Sequence, residues 1–251
     1  MKNEIAKDIV EDLVRPTSKS IGNNIGLAVD GVMGWIGYWG KKQAIKREEY
    51  LEKYKQKIAE NIYKIPENQL KEPSTRILGP AIEASKFFIE EEEFREIFAK
   101  LISSECDVNM SKFVHPSFVD IIKQLSSLDA RLLKMFGYCS TFPCVEIYEK
   151  HCDGAITPCK YLLLDFKEYN NIFSPEEEIQ LTKSVDNLSR LGLMIKNKNV
   201  IELNYEYNLF KDHWIYKSME EKINIDSTIK LRKYRIELTE FGKDFAKCCF
   251  Q

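Results

Sequence analysis

The stretch SPEEEIQLTKSVDNLSRLGLMIKNKNVIELNYEY, residues 174–207, decides the fold class. Ser174 offers the short side-chain oxygen of an N-cap, Pro175 suits the first helical position, and Glu177 stands where an acid reaches back to the cap. The helix predicted from this start runs through LTKSVDNLSRLGLM and stops near Gly192, since glycine takes a left-handed backbone with little strain. VIELNYEY (200–207) alternates apolar and polar residues as a half-buried strand does, and KLRKYRIELTE (230–240) does so again. Thr239 is then placed to cap a closing helix in LTEFGKDFAKCCF. Helix, strand, loop, strand is the order of a winged helix, so residues 173–251 read as a winged-helix-like α+β module.

Upstream the pattern is helical, which makes the expected class mainly α. Ile5, Ile9, Val10, Leu13 and Val14 share one helix face, and KKQAIKREEYLEKYKQKIAENIYKI (41–65) reads as an exposed helix ending before Pro66. Pro73 and Pro80 break the start of the next segment, after which Ile89, Phe94, Ile97, Phe98, Leu101 and Ile102 form inward faces. The acids Glu90 to Glu93 point around a helix start rather than at one ion. VHPSFVDIIKQLSSLDARLLKMF offers two further helices, with Ser126 to Asp129 in the form of a capping box. The expected divisions are N-terminal helices over 1–65, a central helical domain over 66–172, and the module over 173–251.

Function classes are narrowed by what is missing. The sequence has no GxGxxG, GxxxxGK[ST], HExxH or GxSxG and only three histidines, so no enzyme activity and no cofactor is expected. Cys139, Cys144, Cys152 and Cys159 lie around His151 with gaps too wide for the close pairs of a structural zinc site; buried thiols are the expectation, and no metal. The 37 basic residues nearly balance 39 acids, and residues 176–251 carry 13 of each, which disfavours nucleic acid as a partner. Alternation on a strand sets Lys230 and Arg232 on one face and Lys233 and Arg235 on the other, leaving Arg232 and Lys233 as candidate partner contacts. No apolar run follows a basic start, so the expected location is the cytoplasm, peripheral to the inner membrane.

IGNNIGLAVDGVMGWIGYWGKK (21–42) is the unusual element. On a helix Gly22, Gly26, Gly37 and Gly40 fall within an arc of about 60°, beside a bulky face that includes Trp35 and Trp39. Six glycines cost such a helix about 1 kcal/mol each relative to alanine, and close approach along a glycine seam is one compensation. Asn23, Asn24 and Asp30 interrupt a simple span, while the tryptophans and the following Lys41 and Lys42 suit an interface. The segment therefore reads as a membrane or homo-oligomer contact.

The segments IPENQLKEPSTRILGPAIEAS, FREIFAKLISSECD, VHPSFVDIIKQLSSLDARLL, NLSRLGLM and LTEFGKDFAKCC together resemble the Abi-alpha abortive-infection family. His115, Pro116, Ser117 and Phe118, with LTEFGKDF, are its most specific pieces. The resemblance implies bacterial defence against phage and brings no catalytic residues. The resulting expectation is a non-enzymatic effector that self-associates and engages the inner membrane through its glycine-rich segment. The alternative is a sensor or scaffold whose C-terminal module binds a phage or host protein trigger or nucleic acid.

Overall fold

The computed structural model describes residues 34, 48–139, 141–165, 173–223 and 225–251. The expected helix over 3–14 and the glycine-rich segment, with Gly22, Gly26, Trp35, Gly37, Trp39, Gly40, Lys41 and Lys42, lie outside the described residues; Gly34, which is helical and exposed, is the exception. The described chain is α+β and falls into two compact units. One holds the described residues up to Ser127 together with Asp244–Gln251, the other Leu128–Lys243.

The first unit is helical. Helix α1 (Glu48–Ile62) and helix α2 (Thr75–Ser85) pack on helix α3 (Glu92–Glu105), and the short α4 (Phe118–Ile122) closes against α2 and α3. Helix α1 is not the exposed helix its charges suggested. Tyr54, Ile58 and Ile62 recur every four residues and are all buried, so the charged residues form only its outer face. Helix α2 likewise continues through Pro80 instead of breaking there. Pro80 and Arg76, whose carbonyl it leaves unbonded, are both exposed, so solvent rather than core faces the missing hydrogen bond. Ser74 caps α2, accepting from the Arg76 N–H. Ile89, Phe94, Ile97, Phe98, Leu101 and Ile102 are buried as their spacing predicted.

The second unit is built on a four-stranded antiparallel sheet. Helix α5 (Ser127–Tyr138) leads into the hairpin β1 (Thr141–His151) and β2 (Ile156–Leu164); helix α6 (Pro175–Arg190), β3 (Met194–Asn197), helix α7 (Trp214–Glu220) and β4 (Ser227–Leu238) follow, and of the closing helix α8 (Glu240–Cys249) the residues from Asp244 on belong to the first unit. The strand order is β2-β1-β4-β3. This corrects the mainly α expectation, and the arrangement does not show a winged helix. The central partner of β4 is β1, which precedes α6, and β3 and β4 are separated by residues 198–226, which carry α7. The hairpin was hidden because its strand is buried on both sides: Cys144 and Val145 are neighbours in sequence and both fully buried, which erases the alternation a strand is read by.

The local signals around α6 hold. Ser174 and Glu177 form a reciprocal capping box, Pro175 opens the helix, and Gly192 has φ 76°. VIELNYEY, however, is not a strand. Its apolar residues are divided: Ile201 and Leu203 are exposed, whereas Tyr205 and Tyr207 pack on the sheet, and the Tyr207 hydroxyl donates to the Tyr234 carbonyl at 3.1 Å. On the side away from β1, β4 pairs instead with the four-residue β3.

Candidate binding site on the sheet

Register assigns the side chains of the sheet to two faces. Cys144 pairs with Tyr234, Glu146 with Arg232 and Tyr148 with Lys230, so these six share a face; Val145, Ile147 and Lys233 belong to the other. On that second face Val145, Ile147, Leu163 and Ile229 are covered by Tyr207, Phe210, Ile215 and Tyr216. On the first face, α6 packs against β2 and β3, and Cys144, Tyr234 and Ile236 are fully buried. The end of the face carrying Glu146, Tyr148, Lys230 and Arg232 is open.

Glu146 gathers the polar groups of that open end. It accepts from Lys198 Nζ at 3.0 and 3.1 Å and from the Tyr234 hydroxyl at 3.0 Å, and Arg232 Nη1 stands 3.7 Å away. The Arg232 guanidinium also lies 5.8 Å from the centre of the Tyr148 ring, and Lys198 Nζ 5.7 Å from that of Tyr234. Lys198 and Arg232 are about half exposed, so each pair contributes under about 1 kcal/mol to stability and is free to exchange partners.

Beside this group is a cavity of about 260 Å³. The pairing of β1 with β2 slips between Glu146 and Tyr148, both of which line the cavity. Pro158 and Leu162 from β2, Tyr148 from β1 and Thr182 from α6 form its walls, with Glu146, Lys198 and Arg232 at the charged side. Thr182 is fixed by accepting from the Leu162 N–H at 3.0 Å. Pro158 is tolerated because β2 is an edge strand.

Burial, followed by the neighbouring Cys144 and Glu146, pushes the Tyr234 hydroxyl far above the usual phenol range. Burial likewise pushes the Cys144 thiol up, against a smaller opposing effect of the Tyr234 hydrogen bond. Near neutrality the first therefore donates as a phenol and the second is a thiol, not a nucleophile.

The expectation of buried thiols around His151 holds for Cys144 but is corrected at Cys139 and Cys152, which are exposed just beyond the two ends of β1; the Cys159 side chain lies outside the described ones. The two ring nitrogens of His151 meet Ser227 Oγ and Thr157 Oγ1, each at 2.9 Å, while Cys139 and Cys152 are exposed and Cys144 is buried. The described residues contain no group of three His, Cys, Asp or Glu side chains placed for a metal ion. No described helix is long and apolar enough to cross a membrane.

Of the residues singled out in the sequence, Arg232 belongs to the Glu146 group. Lys233 is on the opposite face, 5.6 Å from the centre of the Tyr207 ring. His115 Nδ1 lies 2.6 Å from Ser117 Oγ, and the Ser117 N–H donates to Nδ1 at 3.2 Å, forming the turn that Pro116 enters and α4 leaves. Phe118 is fully buried and meets Phe245 edge to face at 5.1 Å. Thr239 Oγ1 donates to the Gly192 carbonyl at 2.6 Å and accepts from the Gly242 N–H at 2.9 Å. The motifs behind the family resemblance are thus packing and capping joints. Glu146, Tyr148 and Lys198 were missed, since only strand register and the turn after β3 bring them to Arg232.

Residues 46–249 match the family model described as abortive infection alpha. The chain belongs to the abortive infection alpha family. That membership accords with an anti-phage role. An NADH-dependent L-xylulose reductase from Ambrosiozyma monospora is 32% identical over 74 residues, so that the chain spans 27% of the reductase's length and 30% of its own is matched. An uncharacterized protein from Alcanivorax borkumensis SK2 is similar at a TM-score of 0.35 and 15% identity, covering 55% of this chain and 92% of that one.

Proposed function

We propose that this abortive infection alpha protein defends against phage without enzymatic activity, using two separable arms. The recognition arm is the open face of the sheet around Glu146, Lys198 and Arg232, which takes up a trigger of phage or host origin. The effector arm is the glycine-rich N-terminal segment, through which copies self-associate and engage the inner membrane. The observation that carries the reading is the convergence of Lys198, Arg232 and the Tyr234 hydroxyl on Glu146 beside a shaped cavity. A concave site with a few converging polar groups is the usual form of a ligand site.

The second arm is supported by the glycine seam, the tryptophans and the lysines that follow them. Vesicle flotation and dye leakage test it with wild type and Gly26→Leu/Gly37→Leu. Wild type is expected to float with anionic vesicles and the variant to lose leakage activity; no binding by wild type at low salt overturns the membrane arm. Infection of cells carrying Lys198→Ala/Arg232→Ala tests the first arm, with loss of protection expected at unchanged protein abundance.

A further inference from the structure

The face that holds Glu146 carries more positive charge than its own carboxylate neutralises. Lys150 lies two residues beyond Tyr148 on β1 and Lys230 directly opposite Tyr148 on β4, which adds two exposed cations to Lys198 and Arg232. Neither Lys150 nor Lys230 is in an ion pair among the described residues, and Glu146 is the single acid among the paired residues of this face. Four cations against one carboxylate favour an anion there although the chain as a whole is slightly acidic. Lys198 and Arg232 border a cavity walled by Tyr148, Pro158 and Leu162, and Lys150 and Lys230 stand on the same face of the sheet.

At about 260 Å³ the cavity is just below the roughly 300 Å³ at which pockets begin to enclose drug-sized ligands, so it admits one ring system and leaves its substituents at the mouth. A flat ring finds the Tyr148 side chain to stack on, and an anionic substituent at the mouth meets Arg232 and Lys198. The Glu146 carboxylate accepts hydrogen bonds, so a ligand that also presents a donor finds a partner there. Flat ring, anion and donor together describe a nucleotide.

We propose that this face binds a nucleotide, its base in the cavity against Tyr148 and Pro158 and its phosphate on Arg232, Lys198 and Lys230. The phosphate replaces Glu146 as the partner of the two half-exposed cations. Glu146, still held by the Tyr234 hydroxyl, turns its free lone pairs to the amine of the base or a ribose hydroxyl. The inference rests on the same face that the proposed function assigns to recognition and names the chemistry of the trigger. A free mononucleotide and the phosphorylated end of a strand share that chemistry.

Calorimetric titration of the full chain with the four 5′-mononucleotides, inorganic phosphate and 5′-phosphorylated oligonucleotides of increasing length tests it. Saturable nucleotide binding is expected, weakened about tenfold or more by Arg232→Ala or Lys198→Ala. Tyr148→Ala should weaken it to a similar degree, Tyr148→Phe should retain it because the ring remains, and Lys233→Ala on the opposite face should leave it unchanged. Affinity that rises with oligonucleotide length identifies a strand as the source, and affinity independent of length a free nucleotide; both support the proposal. It is overturned if no nucleotide or oligonucleotide binds saturably, if phosphate alone binds as tightly, or if folded Arg232→Ala binds as wild type does. Loss of phage protection in Lys198→Ala/Arg232→Ala with no nucleotide bound by wild type would remove this ligand and leave the recognition face standing.

Discussion

The helical unit and the sheet unit use their polar residues in opposite ways. In the helical unit buried polar groups serve the fold: Glu105, 5% exposed, accepts from Lys71 Nζ at 3.0 Å and from the Ser74 N–H at 3.3 Å, tying the entry of α2 to the end of α3. In the sheet unit Glu146 also binds a lysine, but at an open edge with half-exposed partners beside a cavity. The first arrangement has one stable outcome, because a lone carboxylate left inside would be costly. The second is exchangeable. The difference teaches that family-typical residues and the residues proposed to bind need not coincide: the former hold cores together, and the latter stand at an open end of the sheet.

Truncating a core joint should break the helical unit first. Phe118→Ala removes a fully buried ring and its edge-to-face partner, with an expected loss of about 4 kcal/mol measured by denaturant unfolding. Next comes Gly242→Ala, whose added Cβ would stand 2.0 Å from the Leu193 carbonyl oxygen. Backbone cannot yield as a flexible side chain would, so about 3 kcal/mol should be lost. By contrast Arg232→Ala should change stability by less than about 1 kcal/mol, since its ion pair is half exposed. A large effect there would mean that the open face is part of the fold, and the contrast between the units would fail.

Ser174→Ala should cost about 1 kcal/mol by removing the cap of α6. The same cap predicts a pH dependence. The Ser174 backbone hydrogen bond, with Arg131, holds the Glu177 carboxyl below its ordinary value. A depressed carboxyl contributes stability that is present above its unfolded pKa and is lost as pH falls through the folded one. The stability difference between wild type and Glu177→Gln should therefore be full at neutral pH and shrink on acidification below the ordinary carboxyl range.

The smallest effect is chemical. Burial pushes the Cys106 and Cys248 thiols up to about 12, while Cys139 and Cys152 are exposed. Alkylation of the native protein should modify Cys139 and Cys152 and spare Cys106, Cys144, Cys248 and Cys249 until unfolding.

Much of the helical unit was legible because its helices bury one face each, and that leaves a period in the sequence. Ser174, Pro175, Glu177, Gly192 and Thr239 were legible for a related reason: caps are local chemistry. The hairpin of β1 and β2 was not, since burial of both Cys144 and Val145 removes the alternation and Pro143 and Pro158 suggest breaks. Arg232 stood out as a cation on a strand, but its partners lie at positions 146 and 198 and reach it only through the register of β1 with β4 and the turn after β3. Alternation did separate Arg232 from Lys233, and that separation supplies the sharpest control.

The most direct test counts phage plaques on cells carrying wild type, Lys198→Ala/Arg232→Ala or Lys233→Ala at equal protein levels. If recognition belongs to the open face, the double variant loses protection and Lys233→Ala keeps it. Full protection by the double variant, or equal loss in both, would contradict the account.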